Sequence, residues 1–391
     1  MKKIYLQLTP FFPTSDRFYG PYIYDQVKAI ERNSDFEVIV IKLHPFYNKV
    51  EEEEYTYQGT KVYNFKVIDL PSSTLPGLFH SINLIRLERF IKNVVKKDFD
   101  DIAFIHAHSL YPSGALAVSL GERYGVPSLV QHHGFDVFQL LNAGLLKGKL
   151  KEFNASFMRK KLLDIANRAT LNIGVSQKVL QQLIKENGFI GKELYVLHNG
   201  VDTKKFFRKE KKRSTSFTIG CIGNFFEIKD HITLLKAIEK LHSEKNIENL
   251  KVRLIGSGPL IEPCKNFVKE SGLESIVTFE KEVDHSLLND FYNSLDLFVL
   301  PSYYEAFGCV YTEALQVGVP IIAVEGQGIE EVLTEDDKKV SLIPKGDYSR
   351  LAELIEFRYN HTSKVDYNFD IDIYIKKFLQ HIEKLPSKAD R

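Results

Sequence analysis

The chain has 391 residues, of which 44% are hydrophobic and 26% charged, and its formal net charge at pH 7 is +1. This length allows two domains with separate hydrophobic cores, and the near-zero net charge argues against general nucleic-acid binding. The three cysteines form no Cys-x-x-Cys pair, no apolar run approaches the roughly 18 residues of a membrane-spanning helix, and no signal peptide is evident, so we expect a cytoplasmic protein without disulfides.

The first half of the chain predicts an alternation of strands and helices. Strands are expected at residues 3–9, 36–42, 62–67, 102–106, 128–131 and 171–175, with a helix at 22–32. The charge run from Glu51 to Glu54 is expected in a solvated loop. Because strands separated by helices pair in parallel, this half predicts a doubly wound parallel sheet.

Histidines lie at the ends of two of these predicted strands, at His106 and His108 and at His132 and His133. His106 and His108 share one strand face, so a zinc site with His133 is one hypothesis, although no obvious further ligand lies nearby. A histidine at a strand end could instead hydrogen-bond a sugar hydroxyl or support a reacting centre. A packed structural role is the alternative for His106 and His132.

A basic segment runs from Lys147 to Lys161 and contains a single acid, Glu152. Leucine, phenylalanine and methionine are interspersed among its lysines, with an irregular period. This composition predicts contact with an anionic membrane surface. A solvated basic face is the alternative that the sequence leaves open.

The second half of the chain predicts another strand–helix alternation. Strands are expected at 217–222, 251–255, 276–279, 297–300 and 320–324, and helices at 230–242, 259–270, 284–293 and 308–317. A polar segment at 204–216 predicts the linker, and an amphipathic helix is expected at 370–385. We therefore predict Rossmann-like domains at 1–203 and 204–365, with residues 366–391 returning to the first domain.

The segment 301–320 predicts a ligand site at the start of a helix. Glu305 lies in the turn before the predicted helix, and Glu313 projects toward its apolar stripe of Val310, Ala314 and Val317. Free N–H groups and the helix dipole favour a phosphate at such a helix start. The alternative is a buried Glu313 paired with a lysine or arginine, and a surface Glu305.

Two further strand-to-helix loops could approach the same ligand. Lys229 precedes the first helix of the second domain, where its ammonium could meet a diphosphate; a solvated lysine is the alternative. The Gly-Ser-Gly-Pro segment at 256–259 lacks the third glycine of a dinucleotide fingerprint, so a tight turn is the favoured interpretation.

Taken together, these segments resemble the retaining glycosyltransferases of family 4, which have the GT-B fold of two Rossmann-like domains facing across a cleft. The resemblance runs from the first strand to about Leu333, and its most specific part is Glu-x7-Glu, here Glu305 and Glu313. In the family, the first glutamate contacts donor-sugar hydroxyls and the second holds the nucleotide ribose. His133 matches the histidine of a His-Gly-x-Asp segment, which lies near the anomeric carbon.

The resemblance implies a set of site residues. His133, Lys229 and Glu305 would be catalytic. The residues that would bind the donor are Gly20, Gly223, Asn224, Lys229, Ala306, Phe307, Gly308, Cys309, Val310 and Glu313.

Three loops depart from the family pattern. The usual Gly-Arg and Lys-Gly pairs of the phosphate loop are replaced by Gly223-Asn224 and Lys229-Asp230. One phosphate cation is therefore missing or supplied elsewhere. A first-loop Gly-Gly is Tyr19-Gly20, and a late Gly-Gly is Gln327-Gly328.

The resemblance implies a retaining, metal-independent hexosyltransferase that moves a sugar from a nucleoside diphosphate sugar to an acceptor hydroxyl. The expected acceptor is a saccharide or lipid-linked saccharide of bacterial polysaccharide or glycolipid synthesis, met at the inner face of the cell membrane. The alternatives are a UDP-sugar epimerase or hydrolase of the same architecture, and a non-catalytic nucleotide-sugar-binding subunit. No metal cofactor is expected.

Overall fold

The computed structural model describes residues 2–15, 19–50, 52–71, 74–134, 136–137, 146–191, 193–210, 216–244, 247, 249–361 and 365–386. The chain divides into two compact units. Unit 1 comprises Met1–Asn199 and Ile371–Arg391, and unit 2 comprises Gly200–Asp370. The boundaries between the units thus fall after residues 199 and 370, whereas the sequence predicts them after residues 203 and 365.

Unit 1 contains a largely parallel sheet of strands β1–β8. These are Ile4–Thr9, Glu37–Pro45, Glu54–Tyr57, Thr60–Val67, Ile102–His108, Ser128–His132, Leu171–Gly174 and Leu194–Val196. Helices α1–α5 are Pro21–Asn33, His80–Phe90, Ala115–Tyr124, Lys149–Arg168 and Gln177–Ile184. The strand order is β3-β4-β2-β1-β5-β6-β7-β8, so the winding reverses between β1 and β5.

The edge of this sheet differs from the prediction at the acidic run. Glu54 begins β3, which pairs antiparallel with β4, whereas the sequence predicts a solvated loop there. Tyr55 and Tyr57 of β3 pack against a buried cluster that includes Phe12 and Tyr24. Their alternating apolar contacts hold the strand at the sheet edge, and the preceding glutamates conceal this pattern in the sequence.

Strands β9–β14 of unit 2 form a second sheet, in which every strand pair is parallel. They are Phe217–Ile222, Leu250–Ile255, Val277–Glu280, Leu297–Leu300, Ile321–Val324 and Leu342–Ile343. Helices α6–α11 are His231–Glu244, Ile261–Glu270, Leu288–Ser294, Cys309–Gln316, Glu335–Lys339 and Tyr348–Asn360. The order β11-β10-β9-β12-β13-β14 reverses between β9 and β12. Both sheets confirm the predicted doubly wound α/β class, and such reversals are where ligands bind.

The last described helix, α12 (Ile371–Ile382), belongs to unit 1. Its buried side chains include Ile375 and Phe378, which join a cluster with Tyr5 and Ile30. An ion pair of 2.8 Å between Arg32 and Asp372 joins its first turn to α1. Among the described residues, no helix combines the length and the hydropathy needed to cross a membrane.

Candidate functional site

The loops after β9 and β12 bring Lys229 and Glu305 together at the strand-order reversal of unit 2. Lys229 lies at the end of a 3₁₀ turn, Glu227–Lys229, and its Nζ is 2.5 Å from Glu305 Oε1. The carbonyl of Ile228 accepts hydrogen bonds from Ser302 Oγ at 3.0 Å and from the Tyr303 N–H at 3.1 Å. The two loops are therefore fixed to each other by backbone as well as by charge.

Close backbone contacts shape the loop that begins with Gly223 and Asn224, which is the predicted phosphate loop. A side chain at Gly256 would lie 2.1 Å from the Gly223 carbonyl oxygen, so that approach requires glycine. The Phe225 N–H donates to the Ser257 carbonyl at 2.8 Å. The 256–259 segment thus supports the phosphate loop as a tight turn, and α7 begins only at Ile261, two residues later than expected.

Helix α9 begins at Cys309, with Gly308 before it in the left-handed conformation at φ 87°. No side chain caps this end, and a Cβ placed on Gly308 would lie 3.7 Å from the Cβ of Glu305, so the positive end of the helix dipole lies beside Glu305. The buried face of α9 includes Tyr311, Ala314 and Leu315. The predicted stripe is wrong at Val310, which is only half-buried.

Glu313 lies on α9, and its carboxylate has partners other than the lysine or arginine that the alternative interpretation requires. Tyr292 donates its hydroxyl to Glu313 Oε2 at 2.8 Å, and His285 Nε2 is 3.9 Å from Oε1. Burial, reinforced by the adjacent carboxylate, raises the pKa of Tyr292 well above its ordinary value. Tyr292 therefore stays protonated and donates to Oε2, while Oε1 has no hydrogen bond to His285 at that distance.

The side chain of Gln327 holds Glu305 in place through hydrogen bonds, a contact that the sequence does not predict. Its Oε1 accepts from the Glu305 N–H at 2.8 Å, and its Nε2 donates to the carbonyls of Tyr303 at 3.2 Å and Glu325 at 3.3 Å. A side chain at the neighbouring Gly328 would lie 2.1 Å from the Ala306 carbonyl oxygen. The substituted first glycine of this loop thus carries a side chain that fixes the loop bearing Glu305.

Unit 1 contains a row of histidines at the carboxyl edge of its sheet. His108 Nδ1 and His133 Nε2 are 3.0 Å apart, and the rings of His106 and His108 are stacked at 4.5 Å. Tyr5 Oη is 2.8 Å from His106 Nδ1. The predicted grouping of the three histidines is therefore present, but His108 and His133 face each other through a hydrogen bond.

Asp136 positions the backbone around His133. Its Oδ1 accepts from the His133 N–H at 2.8 Å, and its Oδ2 accepts from the Leu110 N–H at 3.3 Å. Tyr22, in the first turn of α1, contacts the His133 ring with centroids 5.0 Å apart. Gly20 precedes α1, so two predicted site residues of unit 1, Gly20 and His133, are linked through Tyr22.

Burial keeps these histidines neutral. It lowers the pKa of His106 to about 3 and that of His133 to about 4, and it lowers the pKa of His108 well below its ordinary value. For His133, the nearby Asp136 carboxylate opposes this lowering only in part. At neutral pH the group offers neutral imidazoles rather than charge.

The structure places the predicted residues in two groups. Gly20 and His133 belong to unit 1; Gly223, Asn224, Lys229, Glu305, residues 306–310 and Glu313 belong to unit 2. Across the described ranges, no set of three His, Cys, Asp or Glu side chains is arranged to hold a metal ion.

Two family models match successive parts of the chain. The model described as Glycosyltransferase Family 4 matches residues 20–205, and the model described as Glycosyl transferases group 1 matches residues 202–365. Together they extend over both units.

Relatives and solved structures agree with these matches. D-inositol 3-phosphate glycosyltransferase 2 of Catenulispora acidiphila is 27% identical over 66% of this chain and 66% of its own length, and the D-inositol 3-phosphate glycosyltransferase of Paenarthrobacter aurescens is 26% identical over 74% and 71%. The chain thus spans slightly less than two thirds of the first relative. Anabaena Alr3699/HepE in complex with UDP superposes with a TM-score of 0.69 and 17% identity, covering 98% of this chain and 100% of that one; the same protein is also known with UDP-glucose.

Proposed function

The chain belongs to the family 4 glycosyltransferases and has the GT-B fold, and from this premise we propose that it transfers a sugar from a nucleoside diphosphate sugar to an acceptor hydroxyl. The observation that carries the proposal is the Lys229–Glu305 pair at the strand-order reversal of unit 2, beside the uncapped start of α9. A cation and a helix N-terminus suit a diphosphate, and a carboxylate suits sugar hydroxyls.

In the proposed reaction, the donor diphosphate replaces Glu305 as the ion-pair partner of Lys229. The bond between the anomeric carbon and the diphosphate oxygen breaks, a bond to the acceptor oxygen forms, and the acceptor proton leaves with the diphosphate. Lys229 and the N–H groups of α9 stabilise the negative charge that grows on the leaving group. Glu305, released from Lys229 and held by Gln327, accepts hydrogen bonds from the sugar.

Glu313 is proposed to hold the nucleotide ribose. The Tyr292 hydroxyl occupies Oε2, and Oε1 lies 3.9 Å from His285 Nε2, so Oε1 is the oxygen that would accept from a ribose hydroxyl. The resemblance gives His133 the role of orienting the sugar and implies retention of anomeric configuration by front-face substitution. The positive charge that a metal would supply elsewhere comes from Lys229 in this proposal, so we propose no metal cofactor.

UDP-sugars are the first donors to test, because the structural neighbour Alr3699/HepE is known with UDP and UDP-glucose. The relatives named as inositol-phosphate glycosyltransferases support a hydroxyl-rich acceptor. Within that class, we propose a saccharide or lipid-linked saccharide.

The test is ¹H NMR of UDP-sugars incubated with the protein and candidate acceptors, with and without EDTA. The proposal expects nucleoside diphosphate release that depends on an acceptor, a product with the donor's anomeric configuration, and an unchanged rate in EDTA. Isomerised or hydrolysed sugar from donor alone would instead indicate an epimerase or hydrolase. Binding of the donor without turnover on any acceptor would indicate a non-catalytic subunit.

A further inference from the structure

A layer of buried polar side chains lies between helix α1 and the sheet of unit 1. Gln7 of β1 pairs in register with His106 of β5, and His108 pairs with Gln131 of β6. Because residues two apart in a strand share a face, these four side chains lie on one face of the sheet. Gln26 of α1 covers that face, since its Nε2 donates to Gln131 Oε1 at 3.0 Å. Each of the five is at most 5% exposed, so the hydrogen bonds of this layer form away from bulk water.

His133 joins this layer through a hydrogen bond to His108. His108 Nδ1 and His133 Nε2 are 3.0 Å apart, the ring centroids are 5.3 Å apart, and the ring planes differ by 25°. Because the centroids are farther apart than the nitrogens by about twice the radius of a ring, the rings meet edge to edge, as an in-plane hydrogen bond requires. His106 packs on the face of the His108 ring, with centroids 4.5 Å apart and planes 27° apart. The His108 ring is therefore fixed on its face and at its edge.

The backbone next to His108 is strained. Ser109 has φ 86° and ψ 153°, a region that only glycine adopts readily. Ser113 Oγ donates to the His108 carbonyl at 2.6 Å. Asp136 accepts hydrogen bonds from the His133 N–H and from the N–H two residues after His108. Strain of this kind persists only where surrounding contacts determine the backbone, and these contacts set the separation of the two rings.

The hydrogen-bond partners decide which ring nitrogens carry protons. Burial lowers the pKa of both His108 and His133, so each ring carries one proton at neutral pH. Gln7 Oε1, 3.3 Å from His108 Nε2, only accepts, so the proton of His108 is on Nε2. His108 Nδ1 is then an acceptor, and the proton in its bond to His133 comes from His133 Nε2. Nδ1 is therefore the ring nitrogen of His133 that keeps its lone pair.

We propose that His108 is a positioning residue that fixes the tautomer of His133, so that His133 Nδ1 acts toward the bound sugar as a hydrogen-bond acceptor. The action on the sugar rests on the proposed function, in which His133 orients the sugar. The tautomer itself stands on the contacts among Gln7, His108 and His133. Without His108, the His133 proton would be distributed over both ring nitrogens, and part of the molecules would present a donor where the sugar hydroxyl needs an acceptor.

The NMR spectrum of the protein without substrate tests the tautomer. The probe is the full chain labelled with ¹⁵N-histidine, in long-range ¹H–¹⁵N correlation spectra at neutral pH. Nε2 is recognised because it couples to both carbon-bound ring protons, and its chemical shift reports whether it is protonated. The spectrum of His133→Gln assigns the signals of His133. We expect a protonated Nε2 and an unprotonated Nδ1.

Two substitutions at His108 test the positioning role. His108→Leu removes the acceptor for the His133 Nε2–H, whereas in His108→Asn the amide oxygen takes the place of Nδ1 and accepts. His80→Leu is the matched control, because His80 is a half-buried histidine of unit 1 outside the layer, with Nε2 2.8 Å from Ser119 Oγ. Circular dichroism and thermal unfolding establish that each variant is folded. The wild-type spectrum decides the tautomer even where a variant does not fold.

We expect His108→Leu to populate both tautomers of His133. Its kcat should fall about 10- to 100-fold, with the KM for donor little changed, because the sugar is misaligned while the nucleotide contacts remain. His108→Asn should keep the Nε2–H tautomer and recover most of the wild-type kcat. His80→Leu should behave as wild type in both measurements.

Three results would overturn the inference: a His133 protonated at Nδ1 in wild type, a folded His108→Leu with wild-type kcat, or equal losses of kcat in His108→Leu and His108→Asn. Equal losses would show that His108 has a structural role alone. These outcomes are distinct from failure of the proposed function. Absence of turnover by wild type on every donor and acceptor rejects the proposed function and the action of His133 on the sugar, while the spectrum still decides the tautomer.

Discussion

Burying a charged side chain is unfavourable unless the charge is removed or paired, and the two groups of site residues avoid this penalty in opposite ways. In unit 1, His106, His108 and His133 are kept neutral by burial and hydrogen-bond to neutral partners. In unit 2, Lys229 and Glu305 form an ion pair with each other. The unit 2 group therefore holds a cation that can pair with the charge of a diphosphate leaving group, whereas the neutral histidines of unit 1 can orient a bound sugar but cannot balance that charge.

The largest expected effect is the loss of charge in unit 2. Lys229→Met and Glu305→Gln should each lower kcat by about 10² to 10³, because the stabilisation of a developing charge is lost. Steady-state turnover of the UDP-sugar identified by NMR is the measurement. Glu227→Gln, an exposed acid in the same 3₁₀ turn, is the matched control and should leave kcat unchanged. Near-wild-type turnover in both site variants would contradict the proposed catalytic roles of Lys229 and Glu305.

Acidification should destabilise unit 1 more than unit 2. The folded pKa of His106, about 3, lies below its ordinary value, so the unfolded chain binds more protons and stability falls as the pH falls from about 6.5 toward 3. By pH 5 this amounts to about 2 kcal/mol for His106 alone. Among the described residues of unit 2, one histidine is comparably buried, His231, whose pKa burial lowers to about 4.

Hydrogen exchange resolved by segment, at pH 7 and pH 5, measures this difference between the units. Amides of β1 and β5 should lose more protection than those of β9 and β12. In His106→Gln the pH dependence in unit 1 should be weaker, because one titrating group is gone. Equal loss in both units would show that the histidine row does not set the acid sensitivity.

The smallest expected effect comes from removing the hydrogen bonds between Gln327 and the loop that carries Glu305. Gln327→Gly restores the family's glycine but removes three hydrogen bonds around that loop. We expect kcat to fall about tenfold with the KM for donor little changed, because Glu305 loses its position while the nucleotide contacts remain. A rise in KM alone would indicate that Gln327 contributes to nucleotide binding. Unchanged kinetics would show that Gln327 does not position Glu305 for catalysis.

The sequence predicts the parts of the site that local patterns encode. Lys229 and Glu305 lie in loops after buried strands, and the histidine row lies at the ends of two strands; because parallel strands end at a common edge, the grouping within each unit could be expected. Comparison confirms the family and the fold. The roles of the individual residues stay predictions.

Other features depend on contacts between distant residues and could not be predicted. Tyr292 reaches Glu313 from another helix, and Gln327 reaches Glu305 across 22 positions. Strand β3 is held by the side-chain contacts of Tyr55 and Tyr57, which outweigh the adjacent acidic run.

The most direct test of the central claim is calorimetric titration of UDP, GDP, ADP and their sugars into wild type and Glu313→Ala, with and without EDTA. The account predicts that one nucleotide family binds, that EDTA leaves its affinity unchanged, and that Glu313→Ala weakens it at least tenfold because a ribose hydrogen bond to a carboxylate is lost. Absence of binding by every nucleotide, or equal binding to Glu313→Ala, would contradict the donor site assigned to unit 2.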